Sequence, residues 1–92
     1  MKSFIVGYDL ISKPEKDYEE LMAAIKSLSE IGAWHCLDST WIIKSSKSAV
    51  EIRNALKPHL HKDDRLLVSS LDGIAAWVGF DKACSDWLKT NL

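Results

Sequence analysis

Asp9 is the residue of this chain whose type and position most favour chemistry. It stands at the end of an apolar, β-rich run, Ser3-Phe4-Ile5-Val6-Gly7-Tyr8-Asp9-Leu10. A carboxylate at the point where a buried strand meets solvent has its direction fixed by the sheet, which suits a metal ligand or a general base. The same position also suits a residue that simply starts a turn. Both interpretations of Asp9 stay open from the residues alone.

Other charged and hydroxyl residues are predicted to gather on the same sheet edge as Asp9. They lie between two strand-like runs, before a later one, and in the loop after the first: Asp38, Ser39, Asp63, Asp64, Arg65, Ser12 and Lys13. Grouped carboxylates suit a hard cation such as Mg²⁺, which can polarise a phosphodiester or activate water. Asp and Ser are also common turn residues because they make local hydrogen bonds, and that interpretation competes with a site.

The sequence therefore predicts a magnesium and phosphate site. Its metal ligands would be Asp9, Asp38 and Asp64. Its phosphate contacts would come from Ser39, Arg65 and Lys13, with the arginine binding in a bidentate manner.

The elements that must position these residues are predicted in the order β-α-β-β-α-β, followed by β-α. Strands are predicted over residues 4–10, as two runs within 33–44 joined at Asp38-Ser39, over 65–71 and over 74–78. One long bulged strand is the alternative for 33–44. The Asp72-Gly73 pair predicts a type I′ hairpin turn before the last strand.

Capping residues and apolar spacing predict the helices. The first is expected over residues 18–31, after the capping-box pattern Asp17-x-x-Glu20 and before Gly32. The second begins at the capping box Ser48-x-x-Glu51 and ends near Lys57, before Pro58. A short terminal helix follows Phe80-Asp81, with Cys84, Trp87 and Leu88 on one face.

These elements predict an α+β fold in a single domain, residues 1–92. The first six give a ferredoxin-like βαββαβ sandwich, to which the chain adds a C-terminal strand and a short helix. In this topology the end of strand one, the turn between strands two and three and the start of strand four share one sheet edge. Two helices would cover one sheet face, and aromatic residues on the free face predict a homodimer.

Composition and charge restrict the classes of function. The chain has 92 residues, four Trp and a net charge of -1, so it lacks the overall basic excess common in nucleic-acid binders. Binding RNA or DNA would need local charge or a divalent cation. Cys36 and Cys84 follow no motif, and no stretch approaches the ~20 apolar residues that span a bilayer. We expect a cytoplasmic protein with reduced thiols and no membrane partner.

Histidine and cysteine offer weaker candidates for chemistry. His59-x-His61 could chelate a metal, but the spacing specifies no third ligand. His35 and Cys36 are neighbours on a predicted strand and therefore point to opposite faces, which argues against joint ligation. Cys36 fits a small core residue.

The opening run Phe4-Ile5-Val6-Gly7-Tyr8-Asp9-Leu10 is similar to the first strand of the Cas-two family, small dimeric CRISPR-associated proteins. There a Tyr-Asp pair in an apolar strand ends on the proposed metal-binding aspartate, onto which Asp9 maps. The order of elements also resembles that family, whose extra strand commonly extends the partner's sheet, and the virulence-associated D ribonuclease toxins.

The resemblance implies a divergent Cas-two-like homodimer, possible RNA or DNA binding, and Mg²⁺-dependent endoribonuclease activity with Asp9 as the catalytic residue, paired with its symmetry mate. Arg65 and Ser39 would contact phosphate. The alternative function is a non-catalytic homodimeric module for interaction or for binding a small ligand or nucleotide.

Overall fold

The computed structural model describes the backbone of residues 1–11 and 15–92, and the side chains of residues 1–11 and 18–92. The strands are β1 (Lys2–Asp9), β2 (Trp34–Leu37), β3 (Thr40–Ser45) and β4 (Arg65–Ser70). The helices are α1 (Glu15–Leu28), α2 (Ala49–Leu56) and α3 (Lys82–Asn91), with a 3₁₀ turn at Lys57–His59. The α+β class predicted from the sequence is confirmed.

The four strands form one antiparallel sheet in the order β2-β3-β1-β4. In the central strand β1, Val6 lies opposite Trp41 of β3 on one side and Val68 of β4 on the other. The edge strand β2 pairs with β3 at Trp34↔Ile42 and Leu37↔Thr40, with a register shift between the two pairs. The predicted pair of strands joined at Asp38-Ser39 is therefore confirmed.

One face of the sheet forms the main core against α1 and α2. Alternate residues of β1 point to this face because successive side chains of a strand alternate, and these residues (Phe4, Val6 and Tyr8) are buried. The rest of this core consists of Leu21, Ile25, Trp41, Ile43, Ile52 and Leu56. This apolar layer thus determines which face of β1, β3 and β4 is buried against the helices.

Helix α2 begins at the capping box predicted from the sequence, whereas the bounds of α1 differ from those predicted. The Ser48 side chain accepts a hydrogen bond from the Glu51 backbone and the Glu51 side chain accepts one from the Ser48 backbone, so the predicted capping box of α2 is confirmed. Helix α1 begins at Glu15 and ends at Leu28, earlier than predicted, so Asp17 lies within the helix. The side chain of Asp17 lies outside the described residues.

The opposite face of the sheet, here called the open face, is partly covered by α3. A second apolar cluster forms there from buried Trp34, Ile42 and Leu88, with Trp77, Phe80 and Trp87 packed around it. A disulfide joins Cys36 of β2 to Cys84 of α3. The prediction of reduced thiols was wrong, because the alternation of β2 turns Cys36 toward the face on which α3 lies.

The predicted C-terminal strand at residues 74–78 was also wrong. Residues 71–81, here called the crossing segment, are all described and contain no strand. The backbone N–H of Ile74 donates to Asp72 Oδ1 at 3.0 Å, so Asp72 closes a local turn in place of a hairpin. Strand β4 lies at one sheet edge and α3 is bound to β2 at the other. The chain must therefore cross the open face between them.

Candidate functional site

Asp9 lies beside Arg65 at one end of the sheet. The two residues are opposite each other across the β1–β4 ladder, and both are exposed. Since Tyr8 points into the core, strand alternation directs Asp9 toward the open face. The pairing is the one predicted from the topology.

The β2–β3 turn reaches the same end of the sheet. Ser39 adopts φ 54°, the left-handed conformation that such a tight turn requires. Its carbonyl oxygen accepts a hydrogen bond from the backbone N–H of Tyr8 at 3.1 Å. This bond fixes the turn against the end of β1, one residue before Asp9.

Asp9, Ser39 and Arg65 line a single shallow cleft of about 360 Å³. The remaining lining comes from Gly7, Tyr8, Thr40, Leu66 and Leu67. An acid, a hydroxyl and a guanidinium within one cleft provide groups that can contact a cation and a phosphate oxygen. The cleft therefore brings together one of the three predicted metal ligands and two of the three predicted phosphate contacts.

Asp38 lies in the same turn but does not line this cleft. Burial raises the pKa of the Tyr8 hydroxyl, the hydrogen bond from Trp41 opposes this rise, and the charges of Tyr18 and Asp38 add smaller upward contributions. Asp38 thus acts electrostatically on a residue of the core face.

Asp64 ties two loops together. Its Oδ1 accepts a hydrogen bond from the backbone N–H of Ile11, and its Oδ2 accepts one from the backbone N–H of His61, both at 2.8 Å. This arrangement gives Asp64 a structural role between the loop after β1 and the loop before β4. Any role in metal binding stays a prediction.

Within the described part of the chain, no group of three or more His, Cys, Asp or Glu side chains is arranged to hold a metal ion. Asp9, Asp38 and Asp64 are thus not assembled into one cluster by a single chain. Lys13, the third predicted phosphate contact, lies outside the described residues.

Exposed apolar surface on β2, β4 and the crossing segment was not predicted from the sequence. It includes Leu37 (48% exposed), Leu67 (64%), Ile74 (88%) and Val78 (92%), and Leu67 also lines the cleft. The sequence does carry a signal for it, because Leu66, Leu67 and Val68 place apolar side chains on both faces of β4.

A groove of about 280 Å³ is lined by Leu37 and Val78 of this surface and by Leu88 of α3. The sheet contributes Ile5, Leu37 and Thr40 to it, and the C-terminal part of the chain contributes Trp77, Val78 and Leu92 among others. The open face therefore offers an apolar surface with the acidic and basic residues of the cleft at one end.

Comparison with protein-family models, with curated proteins and with solved structures gives no match to this chain. No described helix is long and apolar enough to cross a membrane. The site must accordingly be interpreted from its own geometry.

Proposed function

We propose that this protein is a ferredoxin-like domain that functions as a homodimer through the uncovered part of its open face. The exposed aliphatic side chains of Leu67, Ile74 and Val78 carry this proposal. We take these residues to form one apolar surface, and such a surface marks an interaction site because its burial is favourable at roughly 25 cal/mol per Å². The strand order and antiparallel pairing are compatible with the ferredoxin-like fold.

Dimerisation through this surface would place functional groups near the interface. Leu67 is both an exposed residue of the surface and part of the lining of the Asp9 cleft. A second copy on the open face would therefore lie beside Asp9 and Arg65.

Light scattering on the purified protein tests the dimer. We expect a mass of two chains for the wild type, and a single-chain mass for Ile74→Asp and Val78→Asp, because each substitution buries a charge in the interface. Val50→Asp is the matched control, since Val50 is 55% exposed on α2, on the other side of the sheet. A monomeric wild type, or equal effects of all three substitutions, would contradict the proposal.

As a second candidate, we propose a Mg²⁺-dependent endoribonuclease built on that dimer. It is favoured by the cleft in which Asp9, Ser39 and Arg65 meet, and by the resemblance of β1 to the Cas-two family. A metal at Asp9 would take a further carboxylate from the second copy, and Arg65 and Ser39 would bind phosphate oxygens. The substrate class would be RNA, with DNA as the competing polyanion.

Cleavage of single-stranded RNA with and without Mg²⁺ tests this activity. We expect cleavage that EDTA stops and that Asp9→Asn abolishes, whereas the control Asp86→Asn, an exchange of the same type on α3, keeps it. Cleavage that survives in Asp9→Asn would refute the catalytic role of Asp9. A dimer without cleavage would leave the non-catalytic homodimeric module as the function.

A cytoplasmic location is likewise a proposal from the sequence. The Cys36–Cys84 disulfide is of a kind that persists mainly in oxidising compartments, and it weighs against this location.

A further inference from the structure

We propose that the Cys36–Cys84 disulfide is a redox-controlled latch, which holds α3 and the crossing segment on the open face when oxidised and releases them when reduced. The bond connects the edge strand β2 directly to α3 across 48 residues of sequence. It is therefore a second covalent attachment of the C-terminal part of the chain to the sheet, at the edge opposite to β4.

Without the disulfide, α3 depends on a small apolar contact. Of the ten residues of α3, all of which are described, Leu88 alone is buried. Leu88 contacts a cluster whose other buried members are Trp34 and Ile42. Cys84, Trp87 and Leu92 pack against this cluster but remain partly exposed. Since a helix usually owes its stability to the apolar face that it buries, a face with one fully buried residue gives α3 limited support.

Hydrogen bonds add a limited second attachment. Trp34 Nε1 donates to the carbonyl oxygen of Cys84 at 3.1 Å, next to the disulfide itself. The carbonyl oxygen of Asn91 accepts from Ser3 Oγ at 2.8 Å and from Lys44 Nζ at 3.0 Å. These bonds lie at the two ends of α3, and the first depends on the position that the disulfide gives to Cys84.

The sheet and helices α1 and α2 are stabilised by a core to which α3 does not contribute. The core between the sheet and helices α1 and α2 contains residues of β1, β3 and both helices and no residue of α3. Elements that share few contacts with the main core open separately from it. Reduction is therefore expected to free α3 while the sheet and the first two helices stay folded.

Cys36 and Cys84 are both partly exposed, so we expect a small dithiol to reach the disulfide. A thiolate of a dithiol reductant would attack one sulfur, break the S–S bond and form a mixed disulfide. The second thiol of the reductant would then attack the reductant's own sulfur in the mixed disulfide and release the protein sulfur as a thiol. The reductant leaves as its cyclic disulfide. Two electrons and two protons pass from the dithiol to the protein, giving two cysteine thiols.

Release would change the surface that the protein presents. The groove on the open face is formed jointly by sheet residues such as Ile5 and by Trp77, Val78 and Leu92. It exists only while the C-terminal part lies on the sheet. Reduction would replace it by a broad apolar face that includes Trp34 and Ile42.

Amide hydrogen exchange followed by mass spectrometry tests the latch, with dithiothreitol as the reductant. In the reduced protein we expect peptides from α3 to exchange at least tenfold faster than in the oxidised protein, and peptides from β1 and β3 to change less than twofold. Cys84→Ser without reductant should reproduce the reduced pattern and should not respond to dithiothreitol.

Three results would overturn the latch. The first is equal exchange of α3 in the oxidised and reduced protein. The second is loss of protection in β1 and β3 together with α3, which would make the disulfide a staple of the whole domain. The third is two free thiols in the air-oxidised protein by mass measurement after alkylation. Reduced wild-type protein gives the same answers if Cys84→Ser does not fold.

Discussion

The hydrogen bond between Trp41 and Tyr8 provides the sharpest test of how this core is built. The Trp41 indole Nε1–H donates to the Tyr8 hydroxyl at 3.1 Å. Tyr8 is 6% exposed and Trp41 is 7% exposed, so water cannot readily replace either partner. Replacing Tyr8 by Phe removes the acceptor and leaves a buried N–H donor without a partner.

An orphaned buried donor costs about 1–3 kcal/mol in the free energy of unfolding. For a domain of this size, each kcal/mol corresponds to a fall of about 4–8 °C in Tm. Urea unfolding followed by tryptophan fluorescence measures the loss directly. We expect Tyr8→Phe to lower the urea midpoint without changing the m-value, because the surface exposed on unfolding stays the same.

Two controls separate the hydrogen bond from other effects. Tyr18→Phe makes the same chemical change at a half-buried position, where water can solvate the groups left behind, and should cost less. In the cycle with Trp41→Phe, the double variant should lose less than the sum of the single variants, because it leaves no orphaned donor. A loss below about 0.5 kcal/mol in Tyr8→Phe would refute the reasoning, since that is the usual range for surface substitutions.

Three further predictions concern other parts of the fold. Closing a loop across 48 residues reduces the entropy of the unfolded chain, so Cys84→Ser should lower the free energy of unfolding by up to about 4 kcal/mol relative to the oxidised wild type in urea titrations. Asp64→Ala should cost about 0.5–1.5 kcal/mol, because the two exposed backbone N–H groups that lose their acceptor can be solvated by water. If Asp64 instead binds metal, Mg²⁺ will raise the Tm of the wild type and not of the variant. The pKa of Glu51 is lowered mainly by a hydrogen bond from the backbone of Ser48, and further by one from its side chain. The stability that Glu51 contributes is therefore present above its usual pKa and is lost as the pH falls through the lowered pKa. The difference in urea midpoint between wild type and Glu51→Gln should accordingly shrink from pH 7 to pH 3.

Local patterns predicted the elements that depend on neighbouring residues. The apolar, β-rich run that begins at Phe4 identifies β1, and the Ser48 capping box identifies the start of α2. The turn at Asp38-Ser39 was recognised because short polar residues separate two apolar runs. In each of these cases the residues that carry the signal lie within a few positions of one another in the sequence.

The crossing segment was mispredicted because its conformation depends on distant parts of the chain. Asp72-Gly73 has the composition of a hairpin turn, and Gly73 does adopt a positive φ of 86°. The chain then continues across the open face, because Cys84 is bonded to Cys36 and Phe80 packs edge-on against Trp34 at 5.1 Å. Nothing near residues 74–78 in the sequence indicates these attachments.

The candidate site was also predicted only in part. Topology predicted a larger group at one edge, which included Asp38, Asp63 and Asp64; of that group, Asp9, Ser39 and Arg65 line one cleft. Topology did not predict the hydrogen bonds of Asp64 to the two loop N–H groups, since these depend on loop paths that the sequence does not specify.

The register shift in β2 has a consequence for how copies of this chain can meet. An exposed sheet edge is a template on which a strand of another molecule can pair, and uncontrolled pairing of this kind leads to aggregation. Strand β2 is four residues long and carries the shift between Trp34 and Leu37, so it offers no regular row of backbone groups to a foreign strand. The sheet can therefore be extended in register only beyond β4, and ordered growth from both edges is prevented.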